Sequence, residues 1–335
     1  MKLVIPGGTG QIGLAVAAAL ADDGHDVVIV ARSAPPPIPG VRAATWDGRT
    51  LGPWAAELDG ADVVLNLAGR TVNCRYTEEN LRQMMDSRVD STRVVGAAIA
   101  AAARPPRVWL QMSTATIYAH RFDAPNDEAT GRLGGDEPDA PAYWARSVDI
   151  ARAWEDTLAA ADTPATRKVA LRTAMVMGPG RGGIFDTLYR LVRRGLGGTI
   201  AGGEQRVSWI HEVDFIRALH LLIARDDLAG PVNLAAPGPL PQRDLMRALR
   251  AAAGRRVGLP ATAWMARLGA VFMRTDAELV LKSRYVVPGR LLDAGFTFTF
   301  PTWADAAPDL VARLRHRDDD ARREPRTDDN RAAGA

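Results

Sequence analysis

Three glycines in the opening stretch "VIPGGTGQIGLAV" stand at Gly7, Gly10 and Gly13, the spacing G-x-x-G-x-x-G. Glycine at such positions lets a phosphate approach the backbone at the positively polarised start of a helix. Gly7, Gly8, Thr9, Gly10, Gln11, Ile12 and Gly13 are therefore candidates to hold a pyrophosphate. The turn follows an apolar run and opens an Ala-rich stretch, which reads as the start of a dinucleotide-binding βαβ unit. The next apolar run, "HDVVIVARS", ends on Arg32 and Ser33. An NAD site would carry Asp or Glu there for the ribose 2′-hydroxyl, whereas a cation and a hydroxyl suit a 2′-phosphate. The sequence thus favours NADP (NADPH) over NAD.

Proton chemistry beside such a cofactor needs a titratable side chain. In "PAYWARSVDIARAWE" Tyr143 stands four residues ahead of Ser147 on a helical pattern, and "MSTATIYAH" supplies a second tyrosine, Tyr118. His211, in "SWIHEVD" with Trp209 and Asp214, could act as a general base or a substrate contact. A histidine packed at a domain seam accounts for it equally well.

The elements that must position these groups are visible as short β-branched runs. "KLVI", "HDVVIVARS", "ADVVLNLAG", "RVWLQMST", "KVALRTAMVMG" and "GPVNLAA" alternate with Ala-rich helical stretches such as "LAVAAALADDG". That alternation predicts an α/β fold, a doubly wound parallel sheet of Rossmann type covered on both faces. Residues 1–235 are expected to form the NADP-binding domain, with 171–206 contributing to a substrate cleft. A smaller, mostly helical domain is expected over 236–316, with one short strand at "FTFTF". From Arg317, nineteen residues hold five basic and six acidic side chains and no aliphatic core former beyond Ala. That composition predicts a disordered, dispensable tail over 317–335. The polar segment "HRFDAPNDEATGRLGGDEPDAP" reads as a long loop able to lie over a site.

Bulk composition narrows the partners. Apolar residues make up 47% and charged residues 24%, a globular balance, and the net charge is only +3. Lysine occurs three times, at Lys2, Lys168 and Lys282, so arginine carries nearly all the basicity. No basic block with interleaved aromatics is present, which argues against nucleic acid. The single cysteine, Cys74, can form no internal disulfide, and no metal cluster can be built around it. With neither a leader pattern nor an 18-residue apolar run, the expectation is a cytoplasmic monomer or homodimer with a small-molecule substrate, off the membrane.

The glycine pattern, "NLAG" (Asn66 to Gly69), "MSTATIYAH" (Met112 to His120) and "LRTAMVMGPG" (Leu171 to Gly180) together resemble extended short-chain dehydrogenases/reductases. The chain is more closely similar to an atypical NAD-dependent epimerase/dehydratase-like branch, the epimerase family proteins. "RYTEENLRQMMDSRVDST", "AWE", "SWIHEVDFIRAL", "GPVNLAAPGP" and "VVPGRLLDAGFTFTFPT" narrow the likeness, which runs from residue 1 to about 314. The last part is similar to that family's C-terminal domain of unknown function.

The resemblance implies a smaller domain closing over the nicotinamide end of a Rossmann domain. It carries cofactor contacts onto Gly7, Gly10, Gly13, Arg32, Leu67, Ala68 and Gly69, and an adenine contact onto Asp47. Ser113, Thr114, Gly178 and Pro179 would sit near the nicotinamide. Such enzymes hold the substrate oxygen with Ser or Thr and pass a proton from a Tyr whose pKa a Lys lowers. Thr114 fits the first role. Anchoring the alignment on Tyr143 puts Ser147 where the lysine belongs. Anchoring it on Glu155, which resembles a glutamate eight residues beyond the tyrosine, puts Ser147 at the tyrosine and Ala151 at the lysine. Neither register supplies a lysine. Arg88, in "SRVDST", falls where extended members carry a helix Asn and would offer a fixed positive charge. The expectation is an NADP-dependent oxidoreductase or epimerase acting on a small polar carbonyl or hydroxyl compound without the usual Tyr-x-x-x-Lys pair. Its rival is a non-catalytic NADP(H)-binding sensor or scaffold.

Overall fold

The structure, a computed structural model, describes residues 1–138, 140–272 and 275–323. The chain begins β1 (Lys2–Pro6), α1 (Gln11–Asp22), β2 (Asp26–Ala31), β3 (Val41–Thr45), β4 (Val63–Asn66), α2 (Glu78–Ala101) and β5 (Val108–Thr114). It continues α3 (Ala145–Ala160), β6 (Arg167–Thr173), β7 (Met175–Met177), α4 (Ile184–Arg193), β8 (Arg206–Val207) and β9 (Trp209–His211). Then come α5 (Glu212–Ala224), β10 (Gly230–Leu234), β11 (Leu240–Pro241) and α6 (Gln242–Ala252). The last helices are α7 (Ala263–Phe272), α8 (Glu278–Leu281), α9 (Gly289–Asp293) and α10 (Trp303–Arg323).

Seven parallel strands form the central sheet in the order β10-β6-β5-β4-β1-β2-β3. Their sequences are apolar runs because both faces are covered, and β4 is buried at all four positions. On one face α1 and α5 pack Val16, Leu20, Phe215, Leu219 and Leu222 against the sheet. On the other, α2 and α3 contribute Val94, Val95, Ile99 and Leu158. The order of strands reverses at β1, with β4 on one side and β2 on the other. A crevice beyond the carboxyl ends of the strands at such a switch point is where open α/β sheets bind ligands.

A second core draws on both sides of residue 235. Met177, Phe185, Val192 and Trp209 pack with Leu245, Leu249, Trp303 and Leu310. The Trp209 and Trp303 rings meet edge to face at 5.0 Å, and the Trp303 indole donates to the Leu245 carbonyl at 3.0 Å. This apolar cluster ties the C-terminal helices to the segment that follows β6.

Two expectations are corrected. "FTFTF" (296–300) is not a strand: its backbone groups are taken by α5 rather than by a neighbouring strand. The Thr299 and Phe300 N–H groups donate to the two oxygens of Asp214, and Arg217 donates to the Thr297 carbonyl. The tail does not begin at 317 either, since α10 continues to Arg323; residues 324–335 lie outside the described residues. Arg317 donates to the Pro179 carbonyl and pairs with Asp186 at 3.3 Å. Truncation after His316 is therefore expected to lower Tm by roughly 2–4 °C, since one charged contact is worth about 1–2 kcal/mol. Thermal unfolding of the full and shortened chains checks this; equal Tm values would mean that the Arg317 contacts contribute nothing.

Candidate functional site

The glycine-rich turn leaves β1 and opens α1. Gly7 lies at φ +75°, and a Cβ there would stand 2.5 Å from the Ala68 backbone nitrogen. A Cβ on Gly13 would stand 2.5 Å from the Gly8 carbonyl oxygen, so this glycine allows helix and turn to pack closely. Gly10 differs: a Cβ there would meet nothing within 4 Å. It caps α1 without any side-chain acceptor, which leaves the first N–H groups of the helix open. Open space over uncapped N–H groups suits a pyrophosphate, so the residues present fit a dinucleotide. Thr9 and Ile12 complete the turn, Ile12 packing on the core. Gln11 reaches across to the Gly180 carbonyl at 3.3 Å, which brings the Gly178–Pro179 loop over the turn.

The "NLAG" loop is held from below. Asn66 accepts from the Ala68 N–H at 3.0 Å and donates to Gln111 at 3.0 Å. The Leu67 N–H donates to the Pro6 carbonyl at 2.8 Å. These bonds press Ala68 against Gly7 and put Gly69 beside Arg88, whose guanidinium carbon is 3.4 Å from where a Gly69 Cβ would lie. Arg32 and Ser33 follow β2 as exposed residues, and Arg32 makes no ion pair among the described residues. Asp47 is committed to its own turn, accepting from the Arg49 and Thr50 N–H groups and the Thr50 hydroxyl. Those bonds, the Thr50 hydroxyl foremost, lower its carboxyl to about 2.

Three sequence candidates are tied into the packed structure. The Ser113 hydroxyl donates to Glu155 at 2.6 Å. Glu155 accepts two bonds from Arg172, at 2.9 and 2.8 Å. Arg172 in turn donates at 3.0 Å to the Tyr118 oxygen, and Tyr118 donates at 3.0 Å to Asn233. Tyr118 is 2% exposed and its oxygen is engaged on both sides; burial raises its pKa. Its oxygen is committed to this buried network, which argues against the preference for it as proton donor. His211 is also structural. Its Nδ1 accepts from the Val213 N–H at 3.1 Å, Nε2 lies 3.0 Å from Asp309, and Phe300 stacks on the ring at 3.9 Å. Burial lowers its pKa although Asp309 opposes the shift, and with both ring nitrogens engaged the side chain caps α5. Sequence alone could not separate these roles, because the partners lie 54–115 positions away for Tyr118 and 98 for His211.

Three candidates remain. Thr114 ends β5 with its oxygen accepting from the Thr116 N–H at 3.1 Å, so its own proton stays available. Tyr143 is 44% exposed on a short turn before α3, and burial of the rest raises its pKa. Arg88 is 9% exposed on α2, lies 4.8 Å over the Trp154 ring, and donates to the Met84 carbonyl at 3.0 Å. No carboxylate pairs with it among the described residues, and burial lowers its pKa to about 10. The sequence reading passed over Glu278, which accepts from the Ser147 hydroxyl at 2.7 Å, and Lys282, which pairs with Glu278 at 3.6 Å. A Glu and a Lys four residues apart inside the apolar "AELVLKSRYVV" were the available signal.

Among the described residues no group of His, Cys, Asp or Glu could hold a metal, and no helix is long and apolar enough to cross a membrane. Residues 3–235 match the NAD dependent epimerase/dehydratase family, and 261–310 match a domain of unknown function, DUF1731. The human "Epimerase family protein SDR39U1" is 32% identical over 317 residues, covering 93% of this chain and all of that protein. The Bacillus subtilis "Epimerase family protein YfhF" is 25% identical, covering 93% and 98%. The crystal structure of human SDR39U1 (isoform 2) with NADPH superposes with a TM-score of 0.80 at 30% identity, over 93% of this chain and 99% of that one. A Bacillus cereus UDP-N-acetylglucosamine 4-epimerase, at 16% identity and TM-score 0.70 over 94% and 99%, shares the fold. Uncapped glycine turn, reversed strand order and whole-length likeness agree: this chain belongs to the NAD dependent epimerase/dehydratase family.

Proposed function

We propose that the protein is an NADP-dependent oxidoreductase or epimerase of a small polar carbonyl or hydroxyl compound. The open space over Gly10 at the uncapped start of α1 carries the cofactor half of this reading. Gly7–Gly13 and Leu67–Gly69 would hold the dinucleotide, which when bound supplies a hydride donor or acceptor. Thr114 offers a hydroxyl proton to a substrate oxygen at the end of β5. Arg88, a buried cation without a carboxylate partner beside Gly69, would stabilise negative charge developing there. The NADPH in the human relative's crystal structure supports the same choice of cofactor.

NADPH is expected to bind at least about tenfold more tightly than NADH, because Arg32, in no ion pair among the described residues, can meet the extra phosphate. Tenfold is about 1.4 kcal/mol, within reach of one charge-assisted contact. Titration of wild type and Arg32→Ala with both cofactors decides it; equal wild-type affinities would remove the NADP assignment. Turnover is sought by following NADPH absorbance with a broad carbonyl panel. Tight NADPH binding with no turnover anywhere on the panel would make the protein a dinucleotide sensor.

A further inference from the structure

Ser147, where one alignment register expects a lysine and the other a tyrosine, meets the C-terminal segment through Glu278, whose partner is Lys282. The Ser147 hydroxyl, part-exposed on the first turn of α3, donates to Glu278 Oε2 at 2.7 Å. Glu278 is fully buried on α8, and Lys282 Nζ lies 3.6 Å from its other oxygen. Lys282 is 3% exposed and donates to the Thr116 carbonyl at 3.2 Å, two residues beyond Thr114. Glu278 Oε1 accepts no hydrogen bond and is met by the Lys282 ammonium at 3.6 Å. We propose that Ser147, Glu278 and Lys282 form a relocated proton relay for the hydroxyl or carbonyl group of the substrate. The inference rests on the oxidoreductase reading above and names the residues that would move its proton.

In the oxidative direction a substrate hydroxyl gives its proton to Ser147 Oγ while the Ser147 proton passes to Glu278 Oε2. A dinucleotide held by Gly7–Gly13 and Leu67–Gly69 would supply the acceptor for the C–H electron pair of the same carbon as hydride, the C–O bond becoming C=O. Reduction runs the same transfers backwards, so charge and protons balance in both directions. Ser147 is the catalytic member, Glu278 stores the proton, and Lys282 is a positioning residue that balances the charge on Glu278. Burial opposes the charged form of both, raising Glu278 and lowering Lys282, and each partly restores the other. Arg284, Asp276, His120, Glu137, Tyr76 and Tyr143 complete the charged and titratable surroundings.

The chain's three lysines make a direct test possible, because ¹³Cε-lysine NMR gives three signals and Lys282→Met assigns one of them. The Lys282 signal is expected to titrate below the range of a solvated lysine, to move in Ser147→Ala, and to move when NADP⁺ saturates the wild type. Ser147→Ala keeps the experiment valid if Glu278→Gln or Lys282→Met fails to fold, since it removes only a part-exposed hydroxyl. A Lys282 signal indifferent to both Ser147→Ala and NADP⁺ would leave the trio a structural clasp and overturn the relay. With any panel substrate that turns over, Ser147→Ala should lower kcat about a hundredfold or more and abolish the ionisation governing its pH profile, with NADPH affinity kept. Unchanged kcat in that variant would equally overturn the relay. Absence of NADP⁺ binding in the wild type would instead defeat the cofactor reading, and the Ser147→Ala shift would still report on the trio.

Discussion

Gly10→Val is expected to fold as the wild type does and to bind NADPH at least about a hundredfold more weakly, a loss of ~2.7 kcal/mol. The structure separates the glycines on this point. A side chain at Gly7 or Gly13 would strike the Ala68 backbone or the Gly8 carbonyl, so substitution there perturbs the fold itself. Gly10 faces open space, with an extended backbone at φ −72° that any residue adopts. A branched Cβ there meets no protein atom, only the volume that a phosphate needs in order to reach the first N–H groups of α1. Fluorescence titration with NADPH, beside urea unfolding of the same variant, reads the two effects independently. Undiminished binding by a folded Gly10→Val protein would place the dinucleotide somewhere other than this turn.

Arg172→Met is expected to cost about 3–5 kcal/mol of stability, the usual penalty for removing one partner of a buried ion pair. The side chains of Arg172 and Glu155 are 10% and 14% exposed. Burial works against the Arg172 charge, but Glu155 outweighs it and holds the guanidinium above its ordinary pKa. Without Arg172, the Glu155 carboxylate keeps only the Ser113 hydroxyl, and the Tyr118 oxygen loses a donor. The pair joins α3 to β6, and through Tyr118 and Asn233 it extends to the Val287 carbonyl beyond β10. Loss at Arg172 should therefore loosen the seam between sheet and C-terminal segment as well. Urea denaturation gives the magnitude, and the double variant Glu155→Leu/Arg172→Leu should recover part of it because no charge is left buried alone. A single variant with the wild-type midpoint would show that the network carries little of the stability.

The sequence by itself determined the sheet and its cofactor turn. Both depend on local chemistry: apolar runs of strand length alternating with helical stretches, and glycines where a backbone must be approached closely. Each of the six runs that predicted strands supplied a strand of the parallel sheet, the end of "KVALRTAMVMG" pairing instead with β9, and the turn at Gly7–Gly13 lies between the first strand and the first helix. Whole-length likeness was legible for the same reason, because its motifs are contiguous words. What the tertiary structure alone decided is the role of each polar side chain. Tyr118 and Tyr143 read alike in sequence, yet one hydroxyl is enclosed by Arg172 and Asn233 while the other residue stays 44% exposed. "FTFTF" alternates as a strand would, but Asp214, more than eighty positions away, takes its N–H groups. The missing lysine near Ser147 is the sharpest case. Counting along α3 finds none, whereas folding brings Glu278 to Ser147 from 131 positions downstream, with Lys282 paired to Glu278. Spacing reports what neighbours along the chain can do; a buried charge takes its partner from wherever the fold supplies one, because leaving it unpaired costs more than the loop that brings the partner.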